Sequence, residues 1–364
     1  MKGPSVVIIG SGPSGFYTAE SICKKINSDI DIIDRLPTPF GLIRGGVAPD
    51  HQTTKKITVT YTKTAKKDQI HFFGNIEIGK DISIEELRKM YDVVILATGS
   101  ELDNKLEIGG ANLKGVYGSA EFVGWYNGHP DYVNLEPDLN TENVVIIGNG
   151  NVAIDVVRVL SKNLEEMTES DIPEYALNSI NQSPIKNLYT VGRRGPVEAK
   201  FTNVELRELG NLKNCVPNIN NANLPNKIDG DFSDRDKRLI KKNLETLKSF
   251  SSLEKQNKEK ELNFIFFHKP IEIIGDNKVE SIKFEKIKLE NWIFSLLNFG
   301  KENFSNFGKF LKNTRIYFLK FCEKIFFNEI FCFSVIMSKK ASADQFSVSG
   351  SNLGPNPPGK TDFC

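Results

Sequence analysis

The stretch Val6-Val7-Ile8-Ile9-Gly10-Ser11-Gly12-Pro13-Ser14-Gly15 decides how this chain is read. Four consecutive β-branched residues make a short strand buried on both faces, and they run without a break into Gly-x-Gly-x-x-Gly. Helical sequence follows from Phe16 to Lys25, and the next apolar run, Ile30-Asp31-Ile32-Ile33, ends at Asp34. Strand, glycine turn, helix and strand make a βαβ unit. The phosphates of a dinucleotide rest on a helix N-terminus only where the backbone comes very close, so the turn needs residues without a Cβ at Gly10, Gly12 and Gly15. Asp34 lies 24 residues after Gly10, where an acid accepts hydrogen bonds from an adenosine ribose.

Outward from that unit the pattern recurs. Tyr91 to Gly99 reads as another buried strand and closes the first region near residue 103. Asn143 to Ile147 then reads as a strand, Gly148-Asn149-Gly150-Asn151-Val152-Ala153 as a second glycine turn, and Ile154 to Leu164 as helix. The following strand, Leu188 to Val191, ends in Gly192-Arg193-Arg194 rather than in an acid. Two guanidiniums at that edge clamp a 2'-phosphate through charge-assisted, bidentate hydrogen bonds, which selects NADPH over NADH. An exposed Arg pair capping a strand end is the plainer alternative. The fold class expected is α/β with two Rossmann-like dinucleotide-binding domains, one for FAD and one for NADPH. Hydride then passes from nicotinamide to flavin.

The chain has 364 residues, enough for two or three domains with cores of their own. Lys and Arg number 47 against 46 Asp and Glu, so no net charge draws the whole chain to nucleic acid or to an anionic membrane. Of the cysteines Cys23, Cys215, Cys322, Cys332 and Cys364, none forms a Cys-x-x-Cys pair, and none has zinc-ligand spacing with the four histidines. Without a redox-active pair in the chain, electrons must leave the flavin for an external acceptor. No run of about 18 apolar residues exists to span a membrane, and the first strand begins by Ser5, leaving no room for a leader.

Four stretches carry a resemblance that names the acceptor. Gly10-Ser11-Gly12-Pro13-Ser14-Gly15-Phe16-Tyr17-Thr18-Ala19, Pro39 to His51 (PFGLIRGGVAPDH), Phe122 to Gly128 (FVGWYNG) and Val191-Gly192-Arg193-Arg194-Gly195-Pro196 together resemble the adrenodoxin reductase family of NADPH:ferredoxin oxidoreductases. The resemblance runs from about Val6 to Leu289. It implies a glutathione-reductase-like architecture, with residues 1–103 as the N-terminal part of an FAD domain and 104–290 as an NADPH domain. It implies FAD contacts at Ser14, Asp34, Leu42 and Ile78, and NADPH contacts at Asn149, Gly150, Asn151, Val152, Arg193, Arg194 and Glu205. The family usually has Glu where this chain has Asp34. His51 and Asp155 match positions near the flavin, His51 as a proton relay and Asp155 orienting it, or the two as a structural pair. The partner implied is an acidic 2Fe–2S ferredoxin, in the mitochondrial matrix, met by a monomer. On the helix expected from Arg235 to Ser249, Arg235, Arg238 and Lys242 share a face opposite Ile240, Leu244 and Leu247. That ridge reads as the ferredoxin's steering patch or as a solvated face.

After Glu290 the resemblance stops. Of 25 phenylalanines, 11 fall between Asn291 and Met337 without a clean period, which sets 291–364 apart as an atypical tail, disordered from Ser338 onward. The returning FAD segment that the family carries is not recognisable there. The expectation is an FAD sheet without its closing strand, an exposed apolar edge, and a chain that is not a competent reductase, with a non-catalytic NADPH-binding remnant or a faulty gene reading as alternatives.

Overall fold

The computed structural model describes residues 3–100, 103, 106–220, 224–253, 258–287, 316–317 and 334–337. Its strands are β1 (Val6–Ile9), β2 (Ile30–Ile33), β3 (Ile70–Phe73), β4 (Val93–Leu96), β5 (Asn143–Ile147), β6 (Asn187–Gly192), β7 (Cys215–Ile219), β8 (Lys260–Phe266), β9 (His268–Ile274), β10 (Ser281–Lys286), β11 (Ile316–Tyr317) and β12 (Ser334–Met337).

Two sheets carry the two glycine turns, each on parallel strands, as the sequence pattern requires. In the first, the order is β11-β12-β4-β1-β2-β3, with β1 central and paired in parallel to both β2 and β4. All four residues of β1 are buried, which accounts for the unbroken apolar run. Val6 and Ile8 face one core with Phe16, Ile30, Ile32 and Tyr61, while Val7 and Ile9 face another with Leu87 and Val94. The second sheet runs β5-β6-β8-β7, parallel throughout, and rests on a core holding Ile154, Val157, Leu160, Leu206, Leu247 and Phe250. A separate antiparallel pair, β9 with β10, follows β8.

Local chemistry sets the element ends. The first glycine-turn helix spans Pro13–Cys23, beginning three residues before the expected Phe16, because Pro13 sits in its first turn, where a missing N–H costs nothing. The second spans Asn151–Ser161 rather than Ile154 to Leu164, and starts at the glycine turn itself. The basic helix spans Asp234–Phe250, with the Ser233 hydroxyl accepting from the Asp236 N–H as its cap.

One expectation needs correction. The outer edge of β4 is not bare: the backbone of β12 pairs with it antiparallel, Ser334 opposite Leu96 and Met337 opposite Val93, and β11 pairs in turn with β12. The backbone of these four residues, late in the Phe-rich segment, pairs with all four residues of β4. The remainder of the tail, including the expected disorder from Ser338, lies outside the described residues. Among the described residues no helix is long and apolar enough to cross a membrane.

Candidate functional site

The two glycine turns are shaped alike. Gly10 has φ +108°, and a Cβ there would lie 2.2 Å from the Ala97 carbonyl oxygen; one on Gly15 would lie 2.1 Å from that of Gly10. Those two positions are closed by the protein itself. Gly12 differs, because a Cβ built on it meets nothing within 4 Å. The second turn repeats the contrast: Gly148 has φ +143°, whereas Gly150 faces open space. Its third position accepts the Ala153 methyl because a Cβ on Gly148 would still stand 3.9 Å away. In both turns the middle glycine keeps the helix N-terminus open to a ligand, the fit that a pyrophosphate demands.

Around the first turn, Asp34 uses both carboxylate oxygens to hold the loops. Oδ2 accepts from the Ser11 N–H at 2.8 Å and hydroxyl at 2.5 Å, and Oδ1 accepts from the Leu36 N–H at 2.9 Å. Oδ2 is thereby saturated, and Oδ1 keeps a lone pair for a ribose hydroxyl. Phe40, at φ +92°, donates its N–H to the Ser11 carbonyl and brings Gly41 against Gly12. Ser14 is half-buried in the first helix turn, Leu42 is 46% exposed beside it, and Ile78 packs under the sheet with Ile76 and Ile82. At the second turn, the Asn151 side chain accepts from the Thr202 N–H and the Asn149 carbonyl from the Lys200 N–H, while Val152 is exposed. Arg193 is exposed and Arg194 half-buried just past β6. Partial burial and the neighbouring Arg194 charge lower the pKa of Arg193, so an anion there relieves repulsion between them.

Between the two units lies a charged knot. Arg158, on the Asn151–Ser161 helix, is fully buried. Its Nε and Nη2 donate to Asp50 at 2.6 and 3.0 Å, and its Nη1 donates to Glu205 at 3.2 Å. Lys162 adds a bond to Asp50 at 2.8 Å. Burial opposes the charge on Asp50, yet Arg158 and Lys162 hold its carboxyl well below the usual carboxylate range. The knot ties the loop after the first unit, carrying Asp50 and His51, to two helices of the second.

Here the structure departs from the expected His51–Asp155 pair. His51 Nε2 lies 3.1 Å from Glu205 and 3.1 Å from Glu208, whereas Asp155 stands 3.8 Å from Nδ1 and is ion-paired to Arg158 at 2.9 Å. Burial pulls the His51 pKa down, but the hydrogen bonds to Glu205 and Glu208 outweigh it and raise the value to about 9. At neutral pH the ring is an imidazolium. Burial raises Asp155 to about 6 against the lowering charges of Arg158 and His51. Glu205, expected to meet NADPH, has its carboxylate turned into this knot.

Glu208, Arg158 and Asp50 are the residues that sequence reasoning missed. A signal existed: Arg158 interrupts the buried apolar run of Val156, Val157, Val159 and Leu160, three residues after Asp155, and Glu205 and Glu208 repeat that spacing on the Asn203–Leu209 helix. Arg235, Arg238 and Lys242 stand exposed on one side of the Asp234–Phe250 helix, while Leu247 and Phe250 are buried.

Comparison with known proteins agrees with this frame. The profile of the pyridine nucleotide-disulphide oxidoreductase family matches residues 4–172. The chain is 42% identical over 296 residues to NADPH:adrenodoxin oxidoreductase, mitochondrial, of Arabidopsis thaliana, covering 79% of this chain and 61% of that one. It is 40% identical over 283 residues to NADPH-ferredoxin reductase FprA of Mycobacterium tuberculosis, covering 76% and 62%. A structure of M. tuberculosis FprA in complex with NADPH superposes with a TM-score of 0.75 at 37% identity, over 80% of this chain and 66% of that one. The chain thus spans about three fifths of the length of these relatives. With its two glycine turns on two sheets, the chain has the architecture of the pyridine nucleotide-disulphide oxidoreductases, whose profile it matches over residues 4–172, and is similar to both adrenodoxin oxidoreductases and FprA.

Proposed function

We propose that this chain is an FAD-dependent oxidoreductase that passes electrons from NADPH through flavin to an acidic 2Fe–2S ferredoxin. The observation that carries the reading is the pairing of two open middle glycines with opposite chemistry at the adjoining strand ends, Asp34 at the first and Arg193-Arg194 at the second. A carboxylate suits the ribose of FAD, and the Arg pair suits the 2'-phosphate of NADPH. The names of the relatives, which specify NADPH and either adrenodoxin or ferredoxin, support it, and those named as mitochondrial support the mitochondrial matrix as its place.

On this reading residues 1–103 supply the N-terminal part of the FAD domain and 104–290 the NADPH domain. Gly10, Gly12, Ser14, Gly15, Asp34, Leu42 and Ile78 hold FAD. Gly148, Asn149, Gly150, Asn151, Val152, Arg193 and Arg194 hold NADPH, with Glu205 behind them. FAD supplies the step from two-electron hydride acceptance to single-electron release. The protein's own part is to align the two turns through the Arg158 knot and to keep a protonated His51 at the seam, where its ring donates from Nε2 to Glu205 and Glu208 and Asp155 faces Nδ1.

Arg235, Arg238 and Lys242 then steer the ferredoxin. The test is to supply excess FAD and measure NADPH-dependent ferredoxin reduction in wild type and in the variant carrying Arg235→Glu, Arg238→Glu and Lys242→Glu. Slower ferredoxin reduction with flattened salt dependence, and normal reduction of ferricyanide, is expected. Unchanged ferredoxin kinetics would leave the helix as plain solvated surface. A second reading, an NADPH-binding remnant with an incomplete FAD site, is favoured by the break in composition after Glu290 and is distinguished by failure to hold flavin.

A further inference from the structure

The two glycine turns differ at one pair of positions, and the difference is steric as well as electrostatic. Ile9 pairs with Ile33, and Gly10 donates its N–H to the Ile33 carbonyl at 2.8 Å; Ile147 pairs with Val191, and Gly148 donates to the Val191 carbonyl at 2.9 Å. By this register Asn149 corresponds to Ser11, and Gly192 to Asp34. In the first unit these two residues are bonded, the Ser11 N–H and hydroxyl both donating to Asp34 Oδ2. In the second, a Cβ built on Gly192 would overlap the Asn149 side-chain amide. We propose that Asn149 and Gly192 are a matched pair that decides which dinucleotide the second unit takes. The Asn149 amide fills the space in which an acid at 192 would stand, and so keeps a carboxylate away from the ribose. The Arg pair by itself supplies no such exclusion. The inference rests on the reading of this unit as an NADPH site and names the residues outside the Arg pair that set its choice.

Three observations favour it. Gly192 lacks the positive φ that requires glycine at Gly10 and Gly148, so its backbone accepts a side chain. The obstacle at Gly192 is the far end of one side chain, whereas at Gly10 it is the Ala97 carbonyl. A serine at 149 removes that obstacle, as Ser11 leaves room for Asp34 in the first unit. The second observation is that Asn149 Oδ1 is buried and finds no hydrogen-bond donor among the described residues. An unsatisfied buried acceptor costs stability, so the amide is not placed there by its own bonding. The third is charge. A carboxylate at 192 would stand next in the chain to Arg193, compete for its guanidinium and repel a 2'-phosphate, and Gly192 adds no negative charge at that edge.

The experiment is calorimetric titration of NADP+ and of NAD+ into the full chain, in wild type, Gly192→Asp, the double variant Asn149→Ser with Gly192→Asp, and the neutral control Asn149→Ser with Gly192→Asn. The double variant rebuilds at the second turn the Ser–Asp pair of the first. Its preference for NADP+ over NAD+ is expected to fall by about tenfold or more, while the neutral control stays close to wild type. Thermal unfolding without nucleotide gives an independent readout: Gly192→Asp alone is expected to unfold at a lower temperature than wild type, and adding Asn149→Ser to restore it. If wild type prefers NADP+ and the double variant keeps that preference, the pairing is overturned and the NADPH reading stands. The same holds if Gly192→Asp unfolds with wild type whichever residue occupies 149. Failure of wild type to bind NADP+ would overturn that reading and this inference together.

Discussion

Replacing Asp50 by Asn keeps the side chain's shape and removes the charge on which Arg158 and Lys162 converge. Asp50 is 3% exposed, and Arg158 is 1% exposed, so neither can be rehydrated without opening the seam between the two units. Breaking a buried ion pair by neutralising one partner costs about 3 to 5 kcal/mol, because the other charge is left behind. Arg158 retains Asp155 and Glu205, and an Asn oxygen still accepts one of its bonds, which places the expected loss near the lower end, about 3 kcal/mol. The assay is urea unfolding at neutral pH followed by tryptophan fluorescence, to which Trp125, buried in the second unit's core, contributes. The pH dependence supplies a second check. The folded-state pKa of Asp50 is depressed, so its contribution is fully present above the unfolded value, about 3.9, and fades only as pH falls below it. The gap between wild type and Asp50→Asn is therefore expected to stay level from neutral pH down to mildly acidic pH. A loss under about 1 kcal/mol would show the knot to be ornamental and refute the reasoning.

Three other perturbations read different parts of the molecule. Arg193→Ala is expected to raise the KM for NADPH while leaving that for NADH almost unchanged, a loss of about 1.5 to 3 kcal/mol confined to the cofactor with a 2'-phosphate; an equal loss with both would remove Arg193 from the site. Gly12→Ala is expected to leave the stability of the cofactor-free protein within about 0.5 kcal/mol, since its new methyl meets nothing, and yet to weaken FAD binding, whereas Gly15→Ala collides with the Gly10 carbonyl and unfolds more easily. His51 has a folded-state pKa raised to about 9, so the stability it lends is complete below the unfolded value and is lost as pH rises through 9. Wild type is expected to lose about 2 to 3 kcal/mol across that window and His51→Gln to show a flat profile, which urea midpoints at several pH values will reveal.

What the sequence made legible was the part governed by short-range rules. Val6 to Ile9 could only be a doubly buried strand, and Gly10, Gly12 and Gly15 could only make a close turn, so the first unit and its copy at Asn143 were found with their spacing intact. Helix starts were read late because hydrophobic periodicity begins after the turn, while the helix itself begins at Pro13 and Asn151. The knot was illegible for another reason: Asp50, Arg158 and Glu208 are 108 and 50 residues apart in succession, and nothing local says that they meet. The pairing of β12 with β4 was missed likewise, since a four-residue strand amid phenylalanines has no period to announce it.

The account's central claim is that the two turns hold FAD and NADPH within one electron-transfer unit. It is tested most directly by loading the purified chain with FAD, removing unbound flavin, and titrating it anaerobically with NADPH and, separately, with NADH while following the flavin's visible absorbance. The prediction is that bound flavin is bleached by NADPH at concentrations where NADH leaves it oxidised. A chain that retains no flavin, or retains flavin that neither nucleotide reduces, would contradict it.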